Sequence, residues 1–452
     1  MKAKLILICL CLLLAIVAVK ALLSDRVPAR NKSPNLILIS IDSLRADHLG
    51  CYHYGKPTSP NIDRLAKQGI LFTDCTASSS WTLPSHVSMM TGMYPSSHGV
   101  INPNFKLRDE ADTLAEQLKS NGYSTAAFVS GPLVTSTFGF DQGFDIFEES
   151  NSSTLEEKGA GDITSPGLTQ AIISWLKKPG KDPFFLFLHF WDVHYDYIPP
   201  DPYAGLFDRD YTGTFDGRDY VHTDILGPPV DANALNHAQA LYDGELRWVD
   251  YHVGLILDAL EELDLDTHTV ILLTSDHGDE FNDHGNLGHG KNLYESTLRV
   301  PLILASPYHP KGVEISTPTS IVDIPATLLD AVGVVSSIPT EGASILAQSA
   351  HTARPIFSEL HEEFKSVRIG VNKGIFDSRD QLIEAYDLAT DPREYSNLVS
   401  NPNTSFEMTA RKLKEKYTTW QDTVRKKQNW AVRRAKQQEE ISEQLRSLGY
   451  LH

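Results

Sequence analysis

Acidic residues at the ends of two apolar segments are the first candidates for chemistry in this chain. Asp42 ends the run NLILISID, and Asp276 ends TVILLTSD and is followed by His277. Ligands collect at the carboxyl ends of strands in parallel sheets, so these acids are placed to share one edge of a sheet. A lone acid after a strand is usually a turn or capping residue. With His277 beside Asp276, and with the hydroxyl segment described next, the two acids together are stronger candidates for function than either one alone.

A hydroxyl group near the start of a predicted helix is the second candidate. Pro84 suits the first turn of a helix that Gly92 closes, which leaves Thr82 just ahead of the helix amino terminus. Backbone N–H groups and the helix dipole stabilise an anion at that point. On this segment alone, a plain capping role for Thr82 is the simpler interpretation.

Alternating strands and helices must position these residues. Apolar runs typical of buried strands predict strands at residues 35–42, 124–130, 183–190, 269–276 and 300–306. Capping signals and periodicity predict helices at Pro60 to Lys67, from the Thr113 capping box to near Gly122, and from about Ala240 to Leu263. This order predicts an α/β fold with a doubly wound, mostly parallel sheet flanked by helices.

Composition divides the chain into five parts. We predict an N-terminal signal peptide or membrane anchor (1–27), a linker (28–34), a catalytic domain (35–350), a smaller α+β subdomain (351–404), and a charged C-terminal helix and tail (405–452). The charged helix is expected from about Ser405 to Leu448, with a solvated face. The stretch from Tyr203 to Asp231 is rich in Asp, Gly, Pro and Tyr and lacks apolar periodicity, so it is predicted to be a long loop or lid near the site.

The first residues indicate export. Lys2 and Lys4 precede an apolar run from Leu5 to Val19, the layout of a secretory signal or of an uncleaved anchor. No clear cleavage site follows, which favours a membrane-anchored protein over a released periplasmic or extracellular one. In an oxidising compartment Cys51 and Cys75 could form a disulfide, or they could be ordinary buried cysteines.

The overall charge excludes one class of partner. The chain has 452 residues and a formal net charge of -18, whereas nucleic-acid binding depends on Lys and Arg that neutralise phosphates. We therefore expect no nucleic-acid partner. A small anionic substrate would need a locally positive site.

Several motifs of the chain resemble those of sulfatases, a family of the alkaline-phosphatase-like superfamily. The sulfatase signature is Cys or Ser, any residue, Pro, Ser, Arg, and then a helix that ends in Thr-Gly, and Thr82-Leu-Pro-Ser-His86 followed by Met-Met-Thr-Gly92 is similar to it at nearly every position. The likeness extends to Ile41-Asp42-Ser43-Leu-Arg-Ala-Asp-His48, Leu188-His189-Phe-Trp-Asp-Val-His194, Ser275-Asp-His-Gly278 and Gly288-His-Gly-Lys291-Asn-Leu-Tyr-Glu295. It covers about residues 35–306, and shorter segments near 386–398 and 445–451 resemble the family's C-terminal parts.

The resemblance implies a metal-dependent ester hydrolase or transferase with an alkaline-phosphatase-like fold. One divalent cation (Ca²⁺, Mg²⁺ or Mn²⁺) would be held by Asp42, Thr82, Asp276 and His277. His194 would lie near the leaving-group oxygen and donate a proton. The substrate, a small anionic ester, would be contacted by His86, His289 and Lys291. Lys291 matches the family's anion-binding lysine and would count with Thr82 and His194 among the catalytic residues.

The chain also departs from the family pattern. Ser43 stands where many sulfatases have a second metal-binding acid, and His86 replaces the signature arginine. After the strand at 124–130, Ser130 and Gly131 stand where the family has a Lys-x-His motif. The resemblance therefore implies fewer contacts to the anion than in an arylsulfatase.

The methyl group of Thr82 decides the expected mechanism. Formylglycine forms from a β-carbon that bears two hydrogens, so Thr82 must act as a plain alcohol and no formylglycine is expected. A sulfated threonine lacks the exit by which the hydrated aldehyde releases sulfate. A phosphothreonine can be cleared by a second in-line attack, and lipoteichoic-acid-synthase-like phosphotransferases of the superfamily use threonine.

We therefore expect turnover of phosphate mono- or diesters. Two alternatives stay open on the sequence. One is sulfate-ester hydrolysis without formylglycine, and the other is a binding protein that has lost catalysis.

Overall fold

The centre of the protein is a nine-stranded sheet. A computed structural model describes residues 33–151, 164–178, 180, 183–218, 220–221, 231–336, 340–347, 354–400, 406–427 and 433–434. The strands are β1 (Asn35–Ile41), β2 (Gly69–Thr76), β3 (Phe105–Lys106), β4 (Ser124–Ser130), β5 (Ile146–Asn151), β6 (Phe184–Phe190), β7 (Thr269–Thr274), β8 (Glu280–Phe281), β9 (Leu287–Gly288), β10 (Arg299–Ala305), β11 (Val313–Ile315), β12 (Thr319–Ser320), β13 (Pro355–Leu360), β14 (Phe364–Ile369), β15 (Asn372–Phe376), β16 (Leu382–Asp387) and β17 (Arg433–Arg434). The helices are α1 (Pro60–Lys67), α2 (Thr82–Thr91), α3 (Pro95–His98), α4 (Leu114–Ser120), α5 (Ser165–Leu176), α6 (Ala232–Glu262), α7 (Glu295–Leu298), α8 (Ile324–Val332) and α9 (Phe406–Lys427).

The sheet is parallel except for one strand. Its order is β11-β2-β10-β7-β1-β6-β4-β5, with β12 also paired to β2. Only β10 runs against its neighbours β2 and β7 in the described sheet. The predicted doubly wound, mostly parallel architecture is confirmed, and the antiparallel strand was not anticipated.

Strand β1 lies between two parallel neighbours, which explains its continuous apolar sequence. Leu36 and Leu38 pack into the hydrophobic core on one face of the sheet, whereas Ile37 and Ile39 pack into the core on the other. Successive side chains of a strand point to opposite faces, so a strand covered on both sides must be apolar at every position. The register places Ser40 opposite His189 of β6 and Thr274 of β7.

Helix α2 is buried along its whole length. It begins at Thr82 after an extended Trp81 and ends at Gly92, whose φ of 68° is left-handed. A Cβ at Gly92 would also approach the Thr340 side chain, which explains why glycine suits this end. The predicted helix is present, with Thr82 as its first residue.

Two helix boundaries differ from the sequence prediction. Helix α6 begins at Ala232 and not near residue 240, because the Asp231 side chain caps it by accepting from the N–H groups of Asn233 and Ala234. The charged C-terminal helix ends at Lys427, and Arg433–Arg434 pairs with β3 as a strand. The expectation of one helix reaching Leu448 is therefore wrong.

The C-terminal subdomain is a four-stranded antiparallel sheet, β13 to β16, covered by α9. One side of α9 is apolar and packs onto the sheet through Leu413, Tyr417 and Trp420. The α+β subdomain and the C-terminal helix were thus predicted correctly, but the helix is only partly solvated. Lys373 of β15 is buried between Glu295 and Glu394, at 2.9 and 2.8 Å.

Cys51 and Cys75, the cysteines among the described residues, are free thiols. Cys75 is buried in β2 and Cys51 is half-buried, so the second of the two sequence interpretations holds. Burial raises the pKa of both thiols. Among the residues that the structure describes, no helix combines the length and apolar content that a membrane span requires. The predicted signal or anchor, residues 1–27, lies outside the described residues.

Candidate active site

Two carboxylates meet at the carboxyl edge of the sheet. Asp42 follows β1 and Asp276 follows the neighbouring β7, and both are fully buried. The ligand atoms of Asp42, Asp276 and His277 lie within 4.8 Å of one another. The backbone N–H of Ser43 donates to Oδ1 of Asp276 at 3.2 Å, which links the two strand ends directly. Parallel pairing therefore brings these residues together as the sequence predicted.

The Thr82 hydroxyl faces this cluster. Its oxygen lies 3.5 Å from Oδ2 of Asp42 and 3.2 Å from Nε2 of His277. Thr82 is the first residue of α2, and Trp81 in the capping position makes no side-chain cap bond. The simpler interpretation of Thr82 as a helix cap is therefore wrong, because its hydroxyl turns toward the buried acids.

His86 lies beneath Thr82. Its Nδ1 is 3.0 Å from the Thr82 carbonyl, so this nitrogen donates, and its Nε2 accepts from the Ser40 hydroxyl at 3.0 Å. The same ring is 3.4 Å from Oδ2 of Asp276, and burial lowers the pKa of His86 to about 3. The expectation that His86 binds substrate is corrected, since both ring nitrogens hold protein groups and the side chain is fully buried.

His189 is a site residue that sequence reasoning did not select. Its Nε2 lies 3.3 Å from Oδ2 of Asp42, and its Nδ1 lies 2.6 Å from the Ser130 carbonyl. The sequence signal that could have identified it is a histidine near the carboxyl end of an otherwise apolar strand. In the structure His189 pairs in register with Ser40. His189 therefore orients one of the two acids.

The electrostatics of the cluster suit a divalent cation. Burial and the neighbouring charge of Asp276 raise the pKa of Asp42 well above its usual value. Burial also acts to raise the pKa of Asp276, but the charges of His277, His86 and His189 outweigh it. Among the described residues, Oδ2 of Asp276 and Nε2 of His189 have no hydrogen-bond partner. Buried charge of this kind is costly unless it is paired or bound to a metal, so the residues present fit a divalent ion.

His194 lies in an aromatic pocket beside the cluster. Its ring stacks on Trp191 with centroids 3.8 Å apart and lies 4.9 Å from the ring of His289. Its Nδ1 is 2.5 Å from the Tyr195 carbonyl, which orients the ring. Burial, and then the charge of His289, lower the pKa of His194 well below its usual value. The ring is thus held in place near the site and is neutral before an anionic substrate arrives.

His289 enters the site, with two partners that the sequence did not reveal. Its ring centroid lies 4.2 Å from that of His277. Its Nδ1 is 2.6 Å from Oδ1 of Asp279, and Oδ2 of Asp279 accepts from the Tyr197 hydroxyl at 2.6 Å. Burial, followed by the charge of His277, lowers the pKa of His289. Asp279 could have been noticed only because it closes the Asp276-His277-Gly-Asp motif.

Lys291 does not enter the buried cluster. Its side chain is exposed, and its ammonium group donates to the Leu287 carbonyl at 2.9 Å. The backbone N–H of Gly290 donates to the Ser80 carbonyl, which anchors the loop so that His289 faces the site. Lys291 thus lies outside the buried cluster, with its charge close enough to His289 to lower the pKa of that ring, and its role as the anion-binding lysine stays a prediction.

Ser130 and Gly131 have a structural role. The Ser130 hydroxyl donates to the His189 carbonyl and accepts from the Trp191 N–H. Gly131 has a φ of +83°, and a Cβ there would lie 2.2 Å from the Trp191 ring. A larger residue at Gly131 has no room beside the Trp191 ring, so packing fixes glycine at this turn.

The long loop lies beside the site. Within 203–218 and 220–221, the described part of the predicted lid, there is no helix or strand. The loop is attached through Tyr197, whose N–H donates to the Gly217 carbonyl at 3.1 Å. A cavity of about 600 Å³ lies between this loop and α6, lined in part by Lys56, Phe207 and Tyr211. None of the residues that line it belongs to the Thr82 cluster.

The sheet is mostly parallel, and its carboxyl edge carries two acids beside a hydroxyl at a helix start, an architecture shared with alkaline-phosphatase-like folds. Residues 34–334 match the sequence profile described as Sulfatase. The chain therefore belongs to the sulfatase family, whose members typically bind a divalent metal.

Individual relatives agree with this assignment. A sulfatase of Formosa agariphila is 26% identical over 81% of this chain and 83% of its own length. A choline-sulfatase of Rhizobium meliloti is 25% identical over 82% of this chain and 83% of its own. Among solved structures, a phosphonate monoester hydrolase of Agrobacterium radiobacter superposes with a TM-score of 0.69 at 21% identity, over 87% of this chain and 95% of the other.

Proposed function

We propose that this sulfatase-family hydrolase acts on phosphate mono- or diesters, by hydrolysis or transfer, with Thr82 as the covalent nucleophile. The observation that carries the proposal is the Thr82 hydroxyl, at the first residue of α2 and 3.5 Å from Asp42. The methyl group of threonine excludes formylglycine, so the hydroxyl itself must form the bond to the substrate.

One divalent cation, Ca²⁺, Mg²⁺ or Mn²⁺, would be held by Asp42, Asp276, His277 and the Thr82 oxygen. Oxygen ligands with one imidazole suit these ions better than a structural zinc site does. When bound, such an ion lowers the pKa of a neighbouring hydroxyl and neutralises charge on the transferring group. Oδ2 of Asp276, which has no hydrogen-bond partner among the described residues, supports this assignment.

The chain's own residues supply the remaining functions. The amino terminus of α2 presents backbone N–H groups to an anion near Thr82. In the first step the Thr82 hydroxyl releases its proton to solvent and its oxygen attacks phosphorus as the bond to the leaving alcohol breaks. His194 protonates the departing oxygen. His86 and His189 hold Thr82 and Asp42 in place through the contacts described above. Water or an acceptor alcohol then clears the phosphothreonine.

Other features support the substrate class. The phosphonate monoester hydrolase named above has the same fold, and its name supports the proposal of a phosphorus ester as substrate. The substrate is proposed to be a small anionic ester reached outside the cytoplasm, since residues 1–27 resemble a signal or anchor. The alcohol part of the ester is left open.

Two other functions compete with this proposal. Sulfate-ester hydrolysis is favoured by the names of the sulfatase relatives but lacks a route to release sulfate from an unmodified threonine. A binding protein without catalysis is opposed by the grouping of Asp42, Thr82, Asp276 and His277 in one buried cluster.

Removal of the hydroxyl tests the nucleophile. A panel of phosphate monoesters, diesters, phosphonates and sulfate esters, assayed with each cation, first identifies the best substrate. Thr82→Ala should then lower turnover by at least ~100-fold, because the covalent route is lost, and Thr82→Ser should retain activity. Mass spectrometry of quenched turnover should find the transferred group on Thr82. A fully active Thr82→Ala variant, or a modification on another residue, would refute the proposal.

A second variant separates phosphate from sulfate chemistry. Thr82→Cys, produced with a formylglycine-generating enzyme, places the family's modified residue in the same site. Once mass spectrometry shows the aldehyde, sulfate-ester turnover should rise relative to phosphate-ester turnover. Efficient sulfate-ester turnover by the unmodified parent would favour the competing function.

A further inference from the structure

The cavity between the long loop and α6 is lined mainly by polar side chains. Its volume is about 600 Å³, and its walls come from loop residues within 207–213, from the first turns of α6 and from Lys56. This volume lies within the range of sites that bind small molecules. The cavity is separate from the Thr82 cluster, so the proposed reaction gives it no role.

Two contacts hold the loop against α6. The Tyr211 ring stacks on the His237 ring of α6, with centroids 3.8 Å and planes 8° apart. Nδ1 of the same histidine lies 3.0 Å from Oδ2 of Asp208 in the loop. Gly213 also packs closely on Tyr211, since a Cβ there would lie 2.2 Å from its hydroxyl oxygen. The cavity is therefore preformed, which lowers the entropy cost of binding a ligand.

Helix α6 presents three free amides to the cavity. Asn233, Asn236 and Gln239 line it at spacings of three residues, and residues three apart are neighbours on a helix surface. Among the residues that the structure describes, these side-chain amides have no hydrogen-bond partner. An amide has both N–H donors and a carbonyl acceptor. The helix thus offers both kinds of hydrogen bond to one ligand.

The loop adds an aromatic ring to this wall of amides. Phe207 is half-buried and lines the cavity, with the Lys56 ammonium 5.7 Å from its ring centroid. A sugar ring has C–H faces that pack on aromatic rings and hydroxyl groups at its edge that both donate and accept. Free amides beside an aromatic ring match both properties of a sugar.

The charges around the cavity select against an anion. In the described part of the chain, Asp210 and Asp231 line the cavity without an ion pair, whereas the Lys56 ammonium is paired with Asp243 at 2.7 Å. Two uncompensated carboxylates repel sulfate, phosphate or carboxylate groups, but they accept hydrogen bonds from neutral hydroxyl groups. A cationic amine would suit the carboxylates but has no acceptor for the amide N–H groups. These properties together favour a neutral carbohydrate.

We propose that this cavity binds a neutral carbohydrate, through hydrogen bonds to the amides of α6 and stacking on Phe207. The inference does not depend on the chemistry at Thr82. Helix α6 connects the two sites, because Gln239 lines the cavity and, three residues later, the Tyr242 hydroxyl donates to the Ser43 carbonyl at 3.0 Å. Ser43 follows Asp42 directly. The carbohydrate is therefore held by the helix that also supports the candidate cation site.

Titration of the full-length protein with neutral oligosaccharides tests the site. The probes are cellohexaose, maltohexaose and N-acetylchitohexaose, each measured by calorimetry and by saturation-transfer NMR. At least one of them should bind. Oligogalacturonate of the same length carries a carboxylate on every ring and should bind at least ~10-fold more weakly. Asp210→Asn should narrow that difference by ~3-fold or more, because it removes one of the two repelling charges.

Substitutions in the two walls locate the binding. Asn236→Ala combined with Gln239→Ala should weaken binding of the best neutral probe by at least ~10-fold, since hydrogen bonds from two amides are lost. Phe207→Leu keeps an apolar side chain without the ring face and should weaken binding by ~3- to 10-fold. Gln381→Ala removes an exposed amide from the C-terminal subdomain and is the matched control, which should bind as the parent does. Melting temperatures check that each variant is folded.

Three results would overturn the inference. The first is the absence of binding of all three neutral probes at concentrations up to ~10 mM. The second is binding that the double variant and Phe207→Leu leave unchanged, which would place the carbohydrate elsewhere. The third is tighter binding of the chitosan hexamer, the cationic analogue of N-acetylchitohexaose, which would make the cavity an amine site. Thr82→Ala should bind the neutral probe as the parent does, which separates this site from the proposed reaction.

Discussion

The imidazole of His189 lies 3.3 Å from the carboxylate of Asp42, across the pairing of two parallel strands. Its other nitrogen is held 2.6 Å from the Ser130 carbonyl of the next strand. Three adjacent strands of the sheet thus fix the orientation of one acid at the candidate cation site. This arrangement makes cation binding sensitive to residues that need not touch the ion.

Cation binding should depend on Asp276 most and on His189 less. Asp276→Asn should purify without the roughly one divalent ion per chain expected for the parent, because the site loses one of two carboxylates. His189→Ala should weaken binding by ~10–100-fold, as is usual for residues that orient a metal ligand. Metal analysis of dialysed protein and calorimetric titration measure both. His237→Ala, at the long loop, is the control, and a metal-bound Asp276→Asn would contradict the assignment.

Loss of His194 should matter most for poor leaving groups. Its ring is neutral in the free protein because burial lowers its pKa, and a bound anionic ester favours the protonated form. His194→Ala should therefore reduce turnover of alkyl esters by ~100-fold or more and that of 4-nitrophenyl esters by less than ~10-fold. The measurement is kcat against leaving-group pKa. Equal losses of turnover on both kinds of ester would exclude His194 as the proton donor to the leaving group.

Glu280 should make stability fall as the pH rises. Burial raises its pKa from 4.5 to about 7, although bonds from Asn292 and Ser296 oppose the shift. The folded protein then holds this proton more tightly than the unfolded chain, so stability is lost as pH rises through this range. Glu280→Gln should remove roughly 1–3 kcal/mol of that loss.

Denaturant titrations between about pH 4.5 and 8 measure the effect of Glu280→Gln. The parent and the variant should be similarly stable at the acidic end, and the variant should be the more stable one at the alkaline end. Glu362→Gln, an exposed change in the C-terminal subdomain, should not alter the pH dependence. If the unfolding free energies of the parent and of Glu280→Gln change with pH in parallel, the folded protein does not hold a proton on Glu280.

Lys373 should be essential for joining the C-terminal subdomain to the main domain. Its buried ammonium lies between Glu295 and Glu394, and the Arg368 guanidinium reaches Glu295 as well. Lys373→Met leaves buried carboxylates unpaired and should cost about 3–5 kcal/mol of unfolding free energy. Lys365→Met, on the neighbouring strand, is the control. Urea unfolding measures the difference, and a cost under ~1 kcal/mol would contradict this role.

Much of the fold could be predicted because its signals are local. The continuous apolar run of β1 requires burial on both faces, and a strand buried in this way belongs to the middle of a parallel sheet. Pro84 and Gly92 bound a helix by their backbone preferences alone. Strands β2 and β5 were missed because their polar or half-buried positions interrupt the apolar pattern.

By itself the sequence determined the class of the site: two acids after two buried strands, and a threonine at a helix start that cannot become formylglycine. Only the tertiary structure decided which histidines lie at this site. Lys291 turns outward and His289 inward because the Gly290 backbone between them donates to the Ser80 carbonyl and the His289 ring bonds to Asp279. The Tyr197–Asp279 bond joins positions 82 residues apart. Such contacts leave no local pattern, because hydrogen bonds between distant segments are set by how strands and loops pack in three dimensions.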